Sequence, residues 1–118
     1  MIFLQVEIYI FNQHTATFLE AAKPVWESVT NEPRCLSFEM FQTADPSDAN
    51  VTVFRLVEVW DADEEWFMTV QAQKDYYKSY FELVKQISAK PVAFTFWKRL
   101  DGWCSAKKEW TDKLLSKT

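Results

Sequence analysis

Phe54-Arg55-Leu56-Val57-Glu58-Val59-Trp60-Asp61-Ala62-Asp63-Glu64-Glu65-Trp66 passes from a strand pattern straight into a helix start. Val51, Val53, Arg55, Val57 and Val59 point one way, and Thr52, Phe54, Leu56, Glu58 and Trp60 the other, which is the two-residue period of extended chain. Asp61 with Glu64 three residues later resembles a capping arrangement and predicts a short helix over about 62–70.

Upstream, Ile2, Leu4, Val6, Ile8 and Ile10 form the aliphatic face of a first strand. Phe3, Gln5, Glu7, Tyr9 and Phe11 form a mixed aromatic and polar face, which calls for a partner sheet or a ligand rather than water. Phe18, Ala22, Val25, Trp26 and Val29 then recur at helical spacing over 15–30, with Asn12 or Thr15 as cap and a kink or shortened first segment expected at Pro24. Asn31–Arg34 reads as a turn. Leu36, Phe38 and Met40 face away from Ser37, Glu39 and Phe41 in a second strand, and 43–50 reads as a loop that joins the second and third strands as a mobile hairpin connection. Downstream, Tyr77, Phe81, Val84 and Ile87 mark a helix over about 74–88, with Tyr76 and Tyr80 beside the stripe, and Pro91 opens a strand over 92–100. The order is β-α-β-β-α-β, an α+β ferredoxin-like sandwich over 1–100. Residues 101–118 form an extension whose helix, starting near Ser105, places Trp103, Ala106, Trp110 and Leu114 on one face. So short a helix must dock, on its own subunit's core, on a partner or as a lid over a pocket.

Glu32-Pro33-x-Cys35-Leu36-x-Phe38-Glu39-x-Phe41, a polar connection, then Leu56-x-Glu58-x-Trp60-Asp61-x-x-Glu64 resembles the antibiotic biosynthesis monooxygenase domain. The resemblance covers about residues 1–100. It implies a homodimeric α+β barrel and a choice among cofactor-independent oxygenation of polyphenols, haem degradation and small-molecule isomerisation. The histidine or tryptophan that many members carry about ten residues after the Trp-Asp pair is replaced here by Thr69-Val70, and a second common histidine is missing near Asp75. Haem degradation in the family's usual manner is therefore not expected.

The 118 residues suffice for one domain with a core, and 17% are aromatic, more ring surface than such a core requires. A net charge of -4 argues against a nucleic-acid partner. Cys35 and Cys104 lack metal-ligand spacing and read as reduced thiols. No leader or apolar stretch near the roughly 20 residues of a membrane span is evident, so a cytoplasmic protein without a membrane partner is expected. One glycine, Gly102, cannot build a phosphate-cradling loop, and a lone histidine makes a metal site improbable, so no cofactor or metal is expected.

Without a cofactor, oxygen chemistry must draw its electrons from an electron-rich substrate, and the protein supplies a base and a dry box. His14, just past the first strand, is the first candidate base, or a turn histidine. Arg55, on an otherwise all-valine face, steers an anionic substrate or makes a cross-strand ion pair, with Glu7, Glu39 and Glu58 as its possible partners, although parity sets Glu58 on the opposite face. Trp66, Tyr76, Tyr77 and Tyr80 could look down on the sheet with Trp97 below as an aromatic slot, with Phe38 beside it, or be ordinary core. Asn12 matches, by the family resemblance, an asparagine that can hold an oxygen or carbonyl atom; an N-cap role explains it equally. The catalytic set expected is His14, Trp66, Arg55 and Asn12; the substrate-binding set is Tyr76, Tyr77, Tyr80, Trp97 and Phe38. The leading reading is a cofactor-independent monooxygenase of a hydrophobic aromatic or polyketide-like molecule. The same equipment would serve a cyclase, isomerase or decarboxylase, and a filled barrel with His14 in solvent would instead mark a non-enzymatic binding or stress-response dimer.

Overall fold

β1 (Ile2–Phe11) lies inside a four-stranded antiparallel sheet of order β2-β3-β1-β4, flanked by β3 (Asp48–Trp60) and β4 (Ser88–Trp97), with β2 (Cys35–Asp45) at the far edge. The computed structural model describes residues 1–116. Three helices join the strands: α1 (Thr15–Thr30), α2 (Glu64–Thr69) and α3 (Lys78–Ile87), with a last helix, α4 (Lys108–Leu115), beyond β4. This is the α+β ferredoxin-like order the alternation predicted.

The aliphatic residues of β1 are buried against α1 and α3, where Phe18 meets Phe54 with ring centroids 4.6 Å apart and Tyr80 at 6.2 Å. Each ring so buried contributes about 1.5–3 kcal/mol of transfer free energy. Helices α1, α2 and α3 all pack on that face and leave the opposite one uncovered. There Phe41 and Trp97 are exposed, Lys90 sits over the Tyr9 ring at 4.1 Å, and Arg99 over Phe3 at 4.3 Å.

Several local readings are corrected. The expected loop over 43–50 is mostly strand: β2 and β3 run to a tight turn at Pro46-Ser47, where an Asp45 carboxylate oxygen accepts from the Ser47 N–H (2.9 Å) and hydroxyl (2.8 Å). The sheet curls so far at this end that Asp45, on one edge, lies 3.9 Å from Lys90 on the other. A register shift between Cys35 and Ser37 leaves Leu36 exposed rather than beside Phe38 and Met40. Asp63, not Asp61, caps α2, accepting from Trp66 N–H at 2.7 Å. Helix α1 runs unbroken through Pro24. β4 starts at Ser88, earlier than expected, because an edge strand with irregular register tolerates Pro91. The helix expected near Ser105 begins only at Lys108, no residue of α4 is buried, and Trp103 is 85% exposed, so the extension does not cap its own subunit's core. Residues 117 and 118 of that extension lie outside the described residues.

Candidate active site

Between the helix-covered sheet face and α1–α3 lies a cavity of about 210 Å³, walled mainly by aliphatic and aromatic side chains such as Val6, Val25, Phe38, Leu56, Phe67 and Phe81. Strand parity sends one carboxylate into it. Glu58 stands between Leu56 and Trp60 on the buried side of β3, paired with Leu4 on β1 and Phe38 on β2, and is 5% exposed. Among the described residues it is the only side chain at the cavity wall that carries a charge, since none of their lysines, arginines or histidine lines it.

Among the described residues Glu58 has a single hydrogen bond, from the Trp60 indole Nε1 to its Oε1 at 3.0 Å. Trp60 is fully buried and fixed by Phe67 (centroids 5.4 Å, edge-on) and Trp66 (6.2 Å). Burial disfavours the charged form and pushes the Glu58 pKa up from 4.5 to about 7, and the one indole bond only partly offsets it. The nearby Cys35 thiol is raised to about 11, by burial first and by the Glu58 charge second. The Tyr77 and Tyr80 hydroxyls, both on the cavity side, are also raised by burial and then by neighbours that include Glu58. Among the described residues none hydrogen-bonds the Tyr80 hydroxyl.

Of the residues singled out from sequence, Phe38, Tyr77 and Tyr80 line this cavity, and the others lie off its wall. His14 ends a 3-10 turn past β1, with its Nε2 3.2 Å from Gln13 Nε2. Asn12 does not cap the helix; its amide donates to Ala49 O (2.9 Å) and accepts from the Thr52 hydroxyl (2.7 Å), tying β1 to the β2–β3 hairpin. Arg55 lies on the open face, its Nη2 3.0 Å from Glu7 Oε2, so the cross-strand ion pair is the arrangement found. Trp97 stands opposite Phe3, whose side of the sheet bears no helix, and is exposed. Trp66 packs between Trp60 and the Arg34 guanidinium (4.7 Å). Tyr76 donates to Glu32 at 3.0 Å. The expected slot therefore does not assemble as drawn: Tyr80 on α3 and Tyr77 in the turn before it point inward, but Trp97 lies across the sheet from them.

Glu58 itself was read only as a possible partner for Arg55. The signal that finds it is a carboxylate on the buried parity of a central strand with no cation on that face. Among the described residues no group of three His, Cys, Asp or Glu side chains is placed to hold a metal ion, and no helix is long and apolar enough to cross a membrane.

Comparison with known proteins agrees with the sequence resemblance. The family model described as antibiotic biosynthesis monooxygenase matches residues 1–82. A Pestalotiopsis microspora protein described as a candidate monooxygenase is 39% identical over 85 residues, spanning 72% of this chain and 68% of that protein. A solved structure described as a candidate antibiotic biosynthesis monooxygenase of Nitrosomonas europaea is 22% identical, covers 85% of this chain and 99% of its own, and superposes with a TM-score of 0.68. A Mycobacterium tuberculosis structure does so at 16% identity, 87% and 98% coverage and a TM-score of 0.70. Identities this low show a shared fold.

Proposed function

Because the chain belongs to the antibiotic biosynthesis monooxygenase family, we propose that it oxygenates an uncharged, largely flat aromatic or polyketide-like molecule bound in the apolar cavity, with Glu58 as the base. One observation carries this reading: a lone carboxylate at the wall of an apolar cavity, poised near neutrality, with no cation to neutralise it. A ligand bearing its own carboxylate would meet Glu58 as a like charge, which disfavours anionic substrates.

In the step envisaged, Glu58 removes a proton from a methylene activated by a neighbouring carbonyl, and the electron pair stays on the substrate. The Tyr80 hydroxyl, which no described residue hydrogen-bonds, donates to the oxygen on which that charge gathers. The carbanion then gives its electrons to dioxygen, and the peroxide formed takes the proton back. Loss of water leaves a carbonyl, so one oxygen atom enters the product, the other leaves as water, and the substrate supplies every electron. The apolar walls keep bulk water from quenching the carbanion.

The helix-free sheet face supports a second part of the reading, a homodimer in which another copy covers that face. Exposed Phe41 and Trp97 there leave apolar surface that a second sheet would bury. Light scattering after size-exclusion chromatography tests this, and a monomer at micromolar concentration would exclude it.

The test of activity is mass spectrometry of anthrone incubated with purified protein under labelled oxygen and without oxygen. Gain of one labelled atom only with oxygen, reduced about 10²–10⁴-fold in Glu58→Gln, supports the proposal. Turnover that needs no oxygen would point instead to cyclisation, isomerisation or decarboxylation by the same base.

A further inference from the structure

The cavity is open on one side. Phe94 on the edge strand β4, Met68 on α2 and Phe81 on α3 line it and are all exposed, so water enters between that strand and the two helices. A carbanion formed beside Glu58 needs the opposite, a cavity that excludes water. The same chain carries large rings that its own core does not receive. Trp103 is 85% exposed and Trp110 54%, no residue of α4 is buried, and no described residue beyond Phe96 lines the cavity. A helix as short as α4 is marginal alone in water and gains its stability by packing on something.

The extension begins at the surface proposed above for a second copy: Trp97, exposed on the helix-free face, is followed directly by Lys98. From there residues 98–107 span at most about 33–36 Å. That exceeds the 26 Å thickness of the chain, so the linker is long enough to pass from the shared face around an edge to the helix side. Charge points the same way. Residues 98–118 hold six lysines and arginines against three acids, whereas 1–97 hold seven against fourteen. Lys107 and Lys113 lie one turn either side of Trp110, and at the mouth Glu64 and Glu65 lie one turn before Met68. Lys85, one turn beyond Phe81, disfavours those lysines on the α3 side and leaves the α2 side to receive them.

We infer that residues 98–115 of a second copy cross from the shared sheet face and seat Trp110 in the mouth, so that each cavity is completed only by its partner. This rests on the homodimer and the water-sensitive reaction proposed above. The Trp110 ring covers Phe94, Met68 and Phe81, its flanking lysines meet Glu64 and Glu65, and the seated ring keeps water from the carbanion. Substrate entry and product release then require the arm to lift.

The test places a maleimide nitroxide on the native Cys104, exposed in the extension; the half-buried Cys35 thiol, raised to about 11, stays unlabelled at neutral pH. This protein is unfolded in urea and refolded with isotope-labelled Cys104→Ser. In the mixed dimers the amide signals of Met68, Phe81 and Phe94 should lose intensity that returns when the nitroxide is reduced. Loss only when nitroxide and isotope share a chain overturns the exchange and leaves a lid on its own cavity. No loss in either arrangement, in protein that scatters light as a dimer, overturns the closure while the dimer stands; a monomer by light scattering removes the dimer itself. Binding of aminoanthracene, an uncharged flat fluorophore, should weaken about tenfold in Trp110→Ser, the worth of roughly 55 Å² of its apolar surface left in water. An unchanged affinity would equally overturn the closure.

Discussion

Two glutamates, Glu7 and Glu58, sit on neighbouring strands of one sheet and differ in the face they point from. Glu7 meets Arg55 directly opposite at 3.0 Å, accepts from Gln5 at 3.2 Å, and lies on the helix-free face. Glu58 points under the helices, finds no cation and keeps one indole N–H. The lesson is that parity along β3, a single step between residues 57 and 58, decides which carboxylate is a paired surface charge and which is held near its own titration point. An arginine on the same side as Glu58 would have made it a stable anion and a poor base.

The largest effect that can break this contrast is on turnover. Glu58→Gln should lower the oxygenation rate about 10²–10⁴-fold while Glu7→Gln stays within about threefold, since only the first removes a general base. Oxygen uptake with anthrone measures both. Equal losses in the two variants would show that the sheet's integrity, rather than the carboxylate in the cavity, sets the rate.

Next comes stability against pH. The folded Glu58 keeps its proton between 4.5 and about 7, where the unfolded chain has lost it. The native state therefore binds more protons in that window, and its stability falls as pH rises through it and stays lower above. The shift corresponds to about 3 kcal/mol as an upper bound. Urea denaturation of the unaltered protein and of Glu58→Gln, at about pH 4.5 and about pH 8, should show that difference in the first and lose it in the second. Curves that run parallel would mean Glu58 is solvated or paired.

Much of the fold could be read from sequence because alternation and helical spacing are local signals: β1, α1 and β3 follow them nearly residue for residue. The hairpin between β2 and β3 was expected, but its tight turn at Pro46-Ser47 was read as a longer loop because Asp, Ser and Pro favour loops, whereas Asp45 folds its carboxylate onto Ser47. The bulge at Leu36 and the curl joining Asp45 to Lys90 depend on pairings between distant segments. The site was less legible than the fold. His14 and Arg55 attracted notice as unusual residue types, whereas Glu58 is an ordinary residue whose chemistry comes from what fails to surround it. Periodicity gives its direction, but the missing cation is visible only once α1, α2 and α3 have closed over it.

A smaller effect sharpens the account of how that carboxylate is tolerated. Trp60→Phe keeps a ring in the core but deletes the N–H on Glu58. The ionised form then loses its one protein donor, at about 1–3 kcal/mol, while the protonated form loses less. Denaturation should show a greater penalty at about pH 8 than at about pH 4.5. A penalty equal at both would assign Trp60 to packing alone.

The smallest effect is expected on the other face. Arg55 pairs with Glu7 at 3.0 Å, but its side chain is 52% exposed in the single chain, where such pairs are worth about 0–1 kcal/mol. Arg55→Gln should change denaturation by no more than that in protein diluted to monomer. If a second copy covers this sheet face, the same pair is desolvated, and removing one partner leaves Glu7 buried without a cation, a loss of about 3–5 kcal/mol. The loss in Arg55→Gln should then grow with protein concentration, unlike that in Trp60→Phe. A small loss at every concentration would leave Glu7 and Arg55 as a surface pair, and the contrast with Glu58 would rest on solvent exposure as well as on charge.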